Sequence, residues 1–251
     1  MMNESKKYME LSARLSAIAE NVTPGSRVAD IGCDHAHLPI RLCQEDKIPS
    51  AIAMDVNPGP LERAKANIEA AGLADRIRIR LSDGLEKLEP GEADVAVIAG
   101  MGGQLITAIL GKKPLLIAGA HAIPELVLGP HSEADKVRRF LEHYAYDIVN
   151  EDFIEEDGKY YPVIKARKRQ DREKTETGRR KLDDAEIAYG PVLLREKNPV
   201  LHKFLLQQQE QLRTISVHLK KQQTENARNR LASLSQEAQL VTRALERIEL
   251  G

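Results

Sequence analysis

The stretch Val28-Ala-Asp-Ile-Gly-Cys-Asp-His-Ala-His-Leu-Pro39 decides the fold. A short aliphatic run ends at an acid, a glycine follows, and a helical pattern opens behind it. That order reads as a buried strand, a tight turn and a helix, the first half of a βαβ unit. Gly32 lets the backbone turn sharply, so a ligand can approach the strand end. The turn is not G-x-G-x-x-G, because Asp34 and Ala36 stand where later glycines would. An acid near a helix amino terminus repels a pyrophosphate, which argues against a dinucleotide.

Outward from this turn, aliphatic runs alternate with helical patterns. Strands are expected at 27–31, 50–54, 77–81, 93–99 and 125–128, and helices at 35–44, 60–71, 103–111 and 132–144. An amphipathic helix at 11–22 carries Leu11, Leu15, Ile18 and Val22 on one stripe. Alternation of this kind implies an α/β chain with a mostly parallel, Rossmann-like sheet. Two further strands, 146–154 and 159–167, flank Asp157-Gly158, a pair suited to a type I′ hairpin turn. An antiparallel hairpin is an unusual end for a dinucleotide-binding sheet.

Ligands of open α/β sheets bind at the carboxyl ends of the strands. Three acids fall there. Asp30 ends the first strand, Asp55 follows the second, and Asp83 in Ser82-Asp83-Gly84 follows the third. Asp30 suits a ligand amino group, Asp55 the two hydroxyls of a ribose, and Asp83 the exocyclic amine of an adenine. A cationic sulfonium with an amino-acid tail fits this set better than a pyrophosphate does. The expected cofactor contacts are Asp30, Gly32, Cys33, Asp34, Asp55, Val56, Asp83, Gly84, Ala99 and Gly100. Each acid also has a plain reading as a turn or helix cap.

The fourth strand runs into Ala99-Gly-Met-Gly-Gly103, whose glycines leave a thin wall where a flat base can slide in. The chemical step is expected to involve Asp34, His35, Met101 and Gly102. Cys33, Asp34, His35 and His37 invite a metal reading, but no second cluster completes a zinc spacing. On one helix His35 and His37 would point about 200° apart. No metal is expected.

The 251-residue chain has 42% hydrophobic residues, no Trp and three Phe, enough for an aliphatic core of one α/β domain plus an appendage. Two cysteines, Cys33 and Cys43, make no disulfide framework and suit a reduced compartment. The amino terminus lacks the apolar core of a signal peptide, and no stretch reaches the roughly 20 apolar residues of a membrane helix. A cytoplasmic location is therefore expected. A monomer is expected as well, although no sequence feature fixes the oligomeric state. Charge is divided unevenly: 18 basic and 26 acidic residues up to position 164, then 19 and 12 beyond it. Residues 165–181 hold nine basic and three acidic residues, a connector or a polyanion contact. Arg167, Lys168, Arg169, Arg172, Arg179, Arg180 and Lys181 are the expected RNA contacts.

Beyond it, Leu201, Leu205, Gln208, Leu212, Ile215 and Leu219 follow steps of three and four. Leu231, Leu234, Ala238, Val241, Leu245 and Ile248 form a second stripe in another register. A turn within 224–229 would fold the two into an antiparallel coiled-coil hairpin. The chain is thus divided into 1–170, which binds cofactor, and 171–251, a basic linker with the helical hairpin.

The segments DIGCDHAHLP, IAGMGG, EEDGKYYPVIKA and GPVLLREKNP, with the coiled-coil tail, resemble the bacterial tRNA (adenine-N1)-methyltransferases that act on adenine 22. The likeness covers nearly the whole chain. It implies a class I methyltransferase sheet, S-adenosylmethionine as cofactor, tRNA as substrate and methylation at N1. It assigns Asp30, Gly32, Asp34, Asp55, Asp83 and Gly84 to the cofactor and residues 100–103 to the substrate side. One departure stands out: Gly129-Pro130-His131 replaces the family's usual Gln-Pro-Asn. A small-molecule methyltransferase would share the first half but would not need the basic tail. A cofactor-binding RNA adaptor without activity is a further alternative.

Overall fold

Among the described residues, seven strands form one sheet, whose spatial order, numbered along the chain, is 3-2-1-4-5-7-6. The computed structural model describes residues 8–169, 181–222 and 224–250. The strands are β1 Val28–Ile31, β2 Ala51–Asp55, β3 Ile77–Leu81, β4 Val95–Met101, β5 Glu125–Pro130, β6 Tyr146–Glu156 and β7 Lys159–Lys168. The pairs among β1 to β5 are parallel, and β7 runs antiparallel to both β5 and β6. The hairpin expected around Asp157-Gly158 is present, but its return strand β7 inserts between β5 and β6. The chain reaches the sheet edge first and then fills the gap behind itself.

Helices cover both faces. On one side lie α1 Ala13–Asn21, α2 His37–Gln44 and α3 Pro58–Ala70. Their side chains pack with Val28, Ala51, Ala53, Val95, Val97 and Val127. On the other lie α4 Gly103–Lys112 and α5 Ala134–His143, over Ala29, Ile31, Ile52, Met54, Ala96 and Ile98. Neighbouring strand residues thus serve opposite faces, and the central strands read as unbroken apolar runs because both faces are dry.

Several boundaries differ from expectation, three of them for identifiable local reasons. α2 starts at His37, not at 35, because Asp34 and Ala36 both adopt left-handed backbone. β4 and β5 each run two residues further, through Gly100-Met101 and Gly129-Pro130. Their register shifts between Ala99 and Met101, so Gly100, at φ +78, forms a bulge.

After the sheet come α6 Asp184–Tyr189, α7 Pro191–Arg195, α8 Pro199–Lys220 and α9 Glu225–Leu250. Asp183 and Glu186 close a capping box on α6, and Pro191 and Pro199 start the next two helices. The turn between α8 and α9 falls slightly before the expected 224–229. The Thr224 hydroxyl accepts from Ala227 N, which starts α9 at Glu225. His202, early in α8, meets Glu249, late in α9, so the two helices run antiparallel. Leu201, Leu205 and Leu212 are buried against Leu234, Val241 and Leu245, while Ile215 sits at the rim of its stripe, 43% exposed. The expected division at 170/171 lies outside the described residues.

Candidate active site

The carboxyl ends of β1, β2, β4 and β5 surround a cavity of about 510 Å³. It opens where the chain leaves β1 to one side and β4 to the other, the place where open α/β sheets bind ligands. Asp30, Gly32, Asp34, Asp55, Val56, Asp83, Gly84 and Gly100 all line it, so the three acids face one space.

Asp30 is 6% exposed, and burial with Asp55 alongside pushes its carboxyl up to about 7. Asp55 also accepts from Asn57 N, so the cap role considered for it is present as well. Gly32, at φ +76, turns the chain away from β1, and a Cβ there would strike the Met101 methyl. The left-handed backbone favours glycine here, and any larger residue would have to displace the Met101 side chain. The Cys33 thiol, deep in the same turn, is pushed far up by burial and the neighbouring acids, and is inert at neutral pH. Asp83 pairs with Lys112 from α4. Ser82 beside it is buried, donating to Gly84 O and accepting from Lys87 N.

Asp34 lies at the rim, 3.3 Å from Arg63 and 3.5 Å from His35 Nε2. His35 and His37 do not point apart as a continuous helix would place them. Their rings stack at 5.3 Å, because the left-handed Ala36 stands between them. Burial and the His35 ring lower the His37 pKa, which keeps it neutral. Among the described residues no group of three or more His, Cys, Asp or Glu is placed to hold a metal ion.

The opposite wall contains residues that the sequence did not announce. Leu105 and Ile109 of α4 add an apolar face opposite Val56; Leu105 is 52% and Val56 57% exposed. Their i, i+4 spacing was a visible signal, though nothing marked that stripe as facing a ligand. Arg14 of α1 reaches the rim beyond Gly100, where it contacts His131 Nε2 and lies 5.0 Å over the Tyr161 ring. His131 meets Tyr161 edge-on at 5.2 Å. A guanidinium only donates, so His131 Nε2 accepts and its proton resides on Nδ1. Burial, Arg14 and Lys159 hold the His131 pKa below its usual value, consistent with a neutral ring. Among the described residues, Arg14 Nε is the buried side-chain polar atom without a partner, a donor in want of an acceptor.

The basic segment is placed in part. Arg167 bonds Glu125 and Thr23, Arg169 bonds Asp147, and Lys168 donates to the Ile117 and Tyr144 carbonyls at 2.9 and 2.5 Å. Lys181 is exposed, and Arg172, Arg179 and Arg180 lie outside the described residues.

The glycine turn and the two buried acids fit a cofactor with an ammonium-bearing tail and vicinal hydroxyls. With the sheet order, they define an S-adenosylmethionine-dependent methyltransferase. The chain belongs to the tRNA (adenine(22)-N(1))-methyltransferase family, whose model matches residues 28–242. It is 35% identical to the tRNA (adenine(22)-N(1))-methyltransferase of Bacillus subtilis, over 98% of this chain and 99% of that one. The crystal structure of the B. subtilis m1A22 tRNA methyltransferase TrmK superposes with a TM-score of 0.80 at 34% identity, covering 94% of this chain and 99% of that one. The structure of M. capricolum TrmK with S-adenosyl-homocysteine gives 0.81 at 28% identity, covering 96% and 100%.

Proposed function

We propose that this chain methylates N1 of adenine 22 in tRNA. The observation that carries this reading is the continuity of the cavity. The acidic cradle of Asp30 and Asp55 opens without a partition onto the Gly100 bulge, Arg14 and His131.

S-adenosylmethionine, when bound, supplies an electrophilic methyl group on a sulfonium. Asp30 would hold its ammonium group, Asp55 its ribose, and Ser82-Asp83 with Val56 and Leu105 its adenine. The nucleophile needs no base, because N1 of adenine carries an in-plane lone pair and no proton. The work of the protein is alignment, followed by stabilisation of a positive charge shared onto the exocyclic amine. The Gly100 bulge takes one residue out of the β4–β5 register at the cavity wall, where its carbonyl would accept from that amine. Asp34 adds a carboxylate on the same side. His131 Nδ1–H, with Nε2 engaged by Arg14, is a donor for an acceptor of an incoming nucleotide.

N1 lies on the pairing edge, so the base must be unpaired or flipped out. Phosphate contacts are expected from the basic segment that follows β7 and from the helical tail. We place the work in the cytoplasm and in a monomer. Among the described residues no helix is long and apolar enough to cross a membrane.

Three outcomes are expected. Asp34→Ala lowers kcat on tRNA at least about 10-fold at saturating cofactor, the loss of one charge-assisted contact. A rate near that of the wild type would remove Asp34 from the chemical step. Affinity for tRNA falls steeply between about 50 and 200 mM salt, as for any protein that neutralises several phosphates. A flat salt profile would leave the basic segment a linker. Free adenosine is expected to be a poor acceptor beside tRNA; equal rates would favour the small-molecule reading.

A further inference from the structure

A second cavity, of about 440 Å³, lies between the β6–β7 hairpin, the start of α5 and helices α6 and α8. His131 lines this cavity and the active-site cavity alike. The Lys159-Tyr160-Tyr161 run of β7 explains how. Successive strand residues face opposite ways, so Tyr161 meets Arg14 and His131 while Tyr160 serves the second cavity.

Tyr160 stacks on Phe153 at 5.6 Å with an interplanar angle of 12°, and Phe204 of α8 closes on both at 5.0 and 5.4 Å. All three rings are half-buried. Polar groups fringe this surface. The Tyr160 hydroxyl donates to Gln207 at 3.0 Å and the Tyr189 hydroxyl to Gln208 at 3.1 Å, which leaves amide donors. Lys159 stands at the lip, exposed, and makes no ion pair among the described residues. Asp135 also lines the cavity, a carboxylate that would repel a phosphate there and would accept from a base amine. Glu133 is neutralised by Lys136.

We propose that this cavity is a second nucleobase subsite, which takes the nucleotide adjoining the methylated adenine in the same strand. The inference rests on the reading that RNA is the substrate. An aromatic face with amides at its edge and one cation at its lip matches a base with its phosphate. Proteins hold unpaired bases in this way, by stacking with little sequence preference. The shared His131 sets the spacing: a strand whose target base enters the first cavity passes the second one directly. The rings also fasten α8 to the hairpin, but fastening alone requires no open cavity beside them.

The test is a cycle of kinetic measurements on the full-length chain. Wild type and Tyr160→Leu are assayed on tRNA carrying an abasic residue at either nucleotide beside the target, or at neither. For wild type, one abasic position raises KM about 10-fold, a typical stacking loss, with kcat and cofactor affinity unchanged. Tyr160→Leu raises KM on intact tRNA to the same degree and shows no further loss on that abasic tRNA. Additive losses, or an unchanged KM in Tyr160→Leu, overturn the subsite. Photo-crosslinking of the wild type needs no variant. A 5-bromouridine at the neighbouring position attaches to peptides containing Tyr160 or Phe204, and attachment solely elsewhere refutes the inference. If no tRNA is methylated at all, the underlying substrate reading fails and the subsite with it.

Discussion

Replacement of Asp30 by Asn is expected to weaken S-adenosylmethionine binding about 10- to 100-fold, the loss expected for a buried charge-assisted contact. The same change is expected to stabilise the ligand-free protein. Both effects come from one buried carboxyl whose pKa is raised from 3.8 to about 7. In the unfolded chain the group ionises near 4, whereas in the fold it holds its proton to about 7. Between those values the unfolded state binds fewer protons, so stability falls as pH rises and then levels off. Asn removes that slope. At pH 8 its melting midpoint should lie above that of the wild type, by about 2–4 °C for each kcal/mol relieved in a chain of this size. Cofactor affinity of the wild type moves the other way. A bound ammonium favours the ionised acid, so affinity rises about tenfold per pH unit below 7 and flattens above it. Calorimetric titration from pH 5.5 to 8 checks both signs. A wild-type affinity independent of pH, or an Asn variant that binds normally, would remove Asp30 from the cofactor site.

Glu151→Ala is expected to cost about 3–5 kcal/mol of unfolding free energy, the usual loss when one member of a buried ion pair is removed. Arg138 and Glu151 have side chains 2% and 0% exposed and meet at 2.8 Å. Arg138 also donates to the Ile187 and Ala188 carbonyls, at 3.0 Å each, and Glu151 accepts from Val192 N at 2.9 Å. The pair therefore ties the helices after position 181 to the sheet edge. Gly190 belongs to the same joint: at φ +101, a Cβ there would lie 2.5 Å from the Glu151 carboxylate. Gly190→Ala should destabilise the same joint. Replacing both ionic partners together, as Arg138→Met with Glu151→Leu, should recover much of the loss, because no charge is then left buried alone. Denaturant unfolding of the single and double variants measures this. Additive losses across the pair would contradict the assignment.

Much of the fold is visible in the chain because strands and helices repeat with different periods. The parallel strands and the hairpin turn follow from apolar runs and Asp157-Gly158. The convergence of Asp30, Asp55 and Asp83 follows from their places after successive strands. What escaped depends on contacts that periodicity does not encode. Asp34 and Ala36 take left-handed backbone without being glycine, so the start of α2 and the stacking of His35 on His37 were misplaced. The strand patterns do not say that β7 inserts inside β6. Arg14 lies on a helix far from the glycine turn in sequence, and only the packing of α1 brings it to His131. Arg138 and Glu151 look like ordinary surface charges until α6 and α7 cover them.

The proposed alignment of a methyl donor with N1 of a flipped adenine, in one cavity, is open to direct measurement. The most direct test treats unmodified tRNA with the purified chain and labelled S-adenosylmethionine, then maps the product by mass spectrometry. The expected product is a single 1-methyladenosine at position 22 with wild type, and almost none with Asp30→Asn under limiting cofactor. A label on a different atom or nucleotide, or no label on tRNA while free adenosine is methylated, would contradict it.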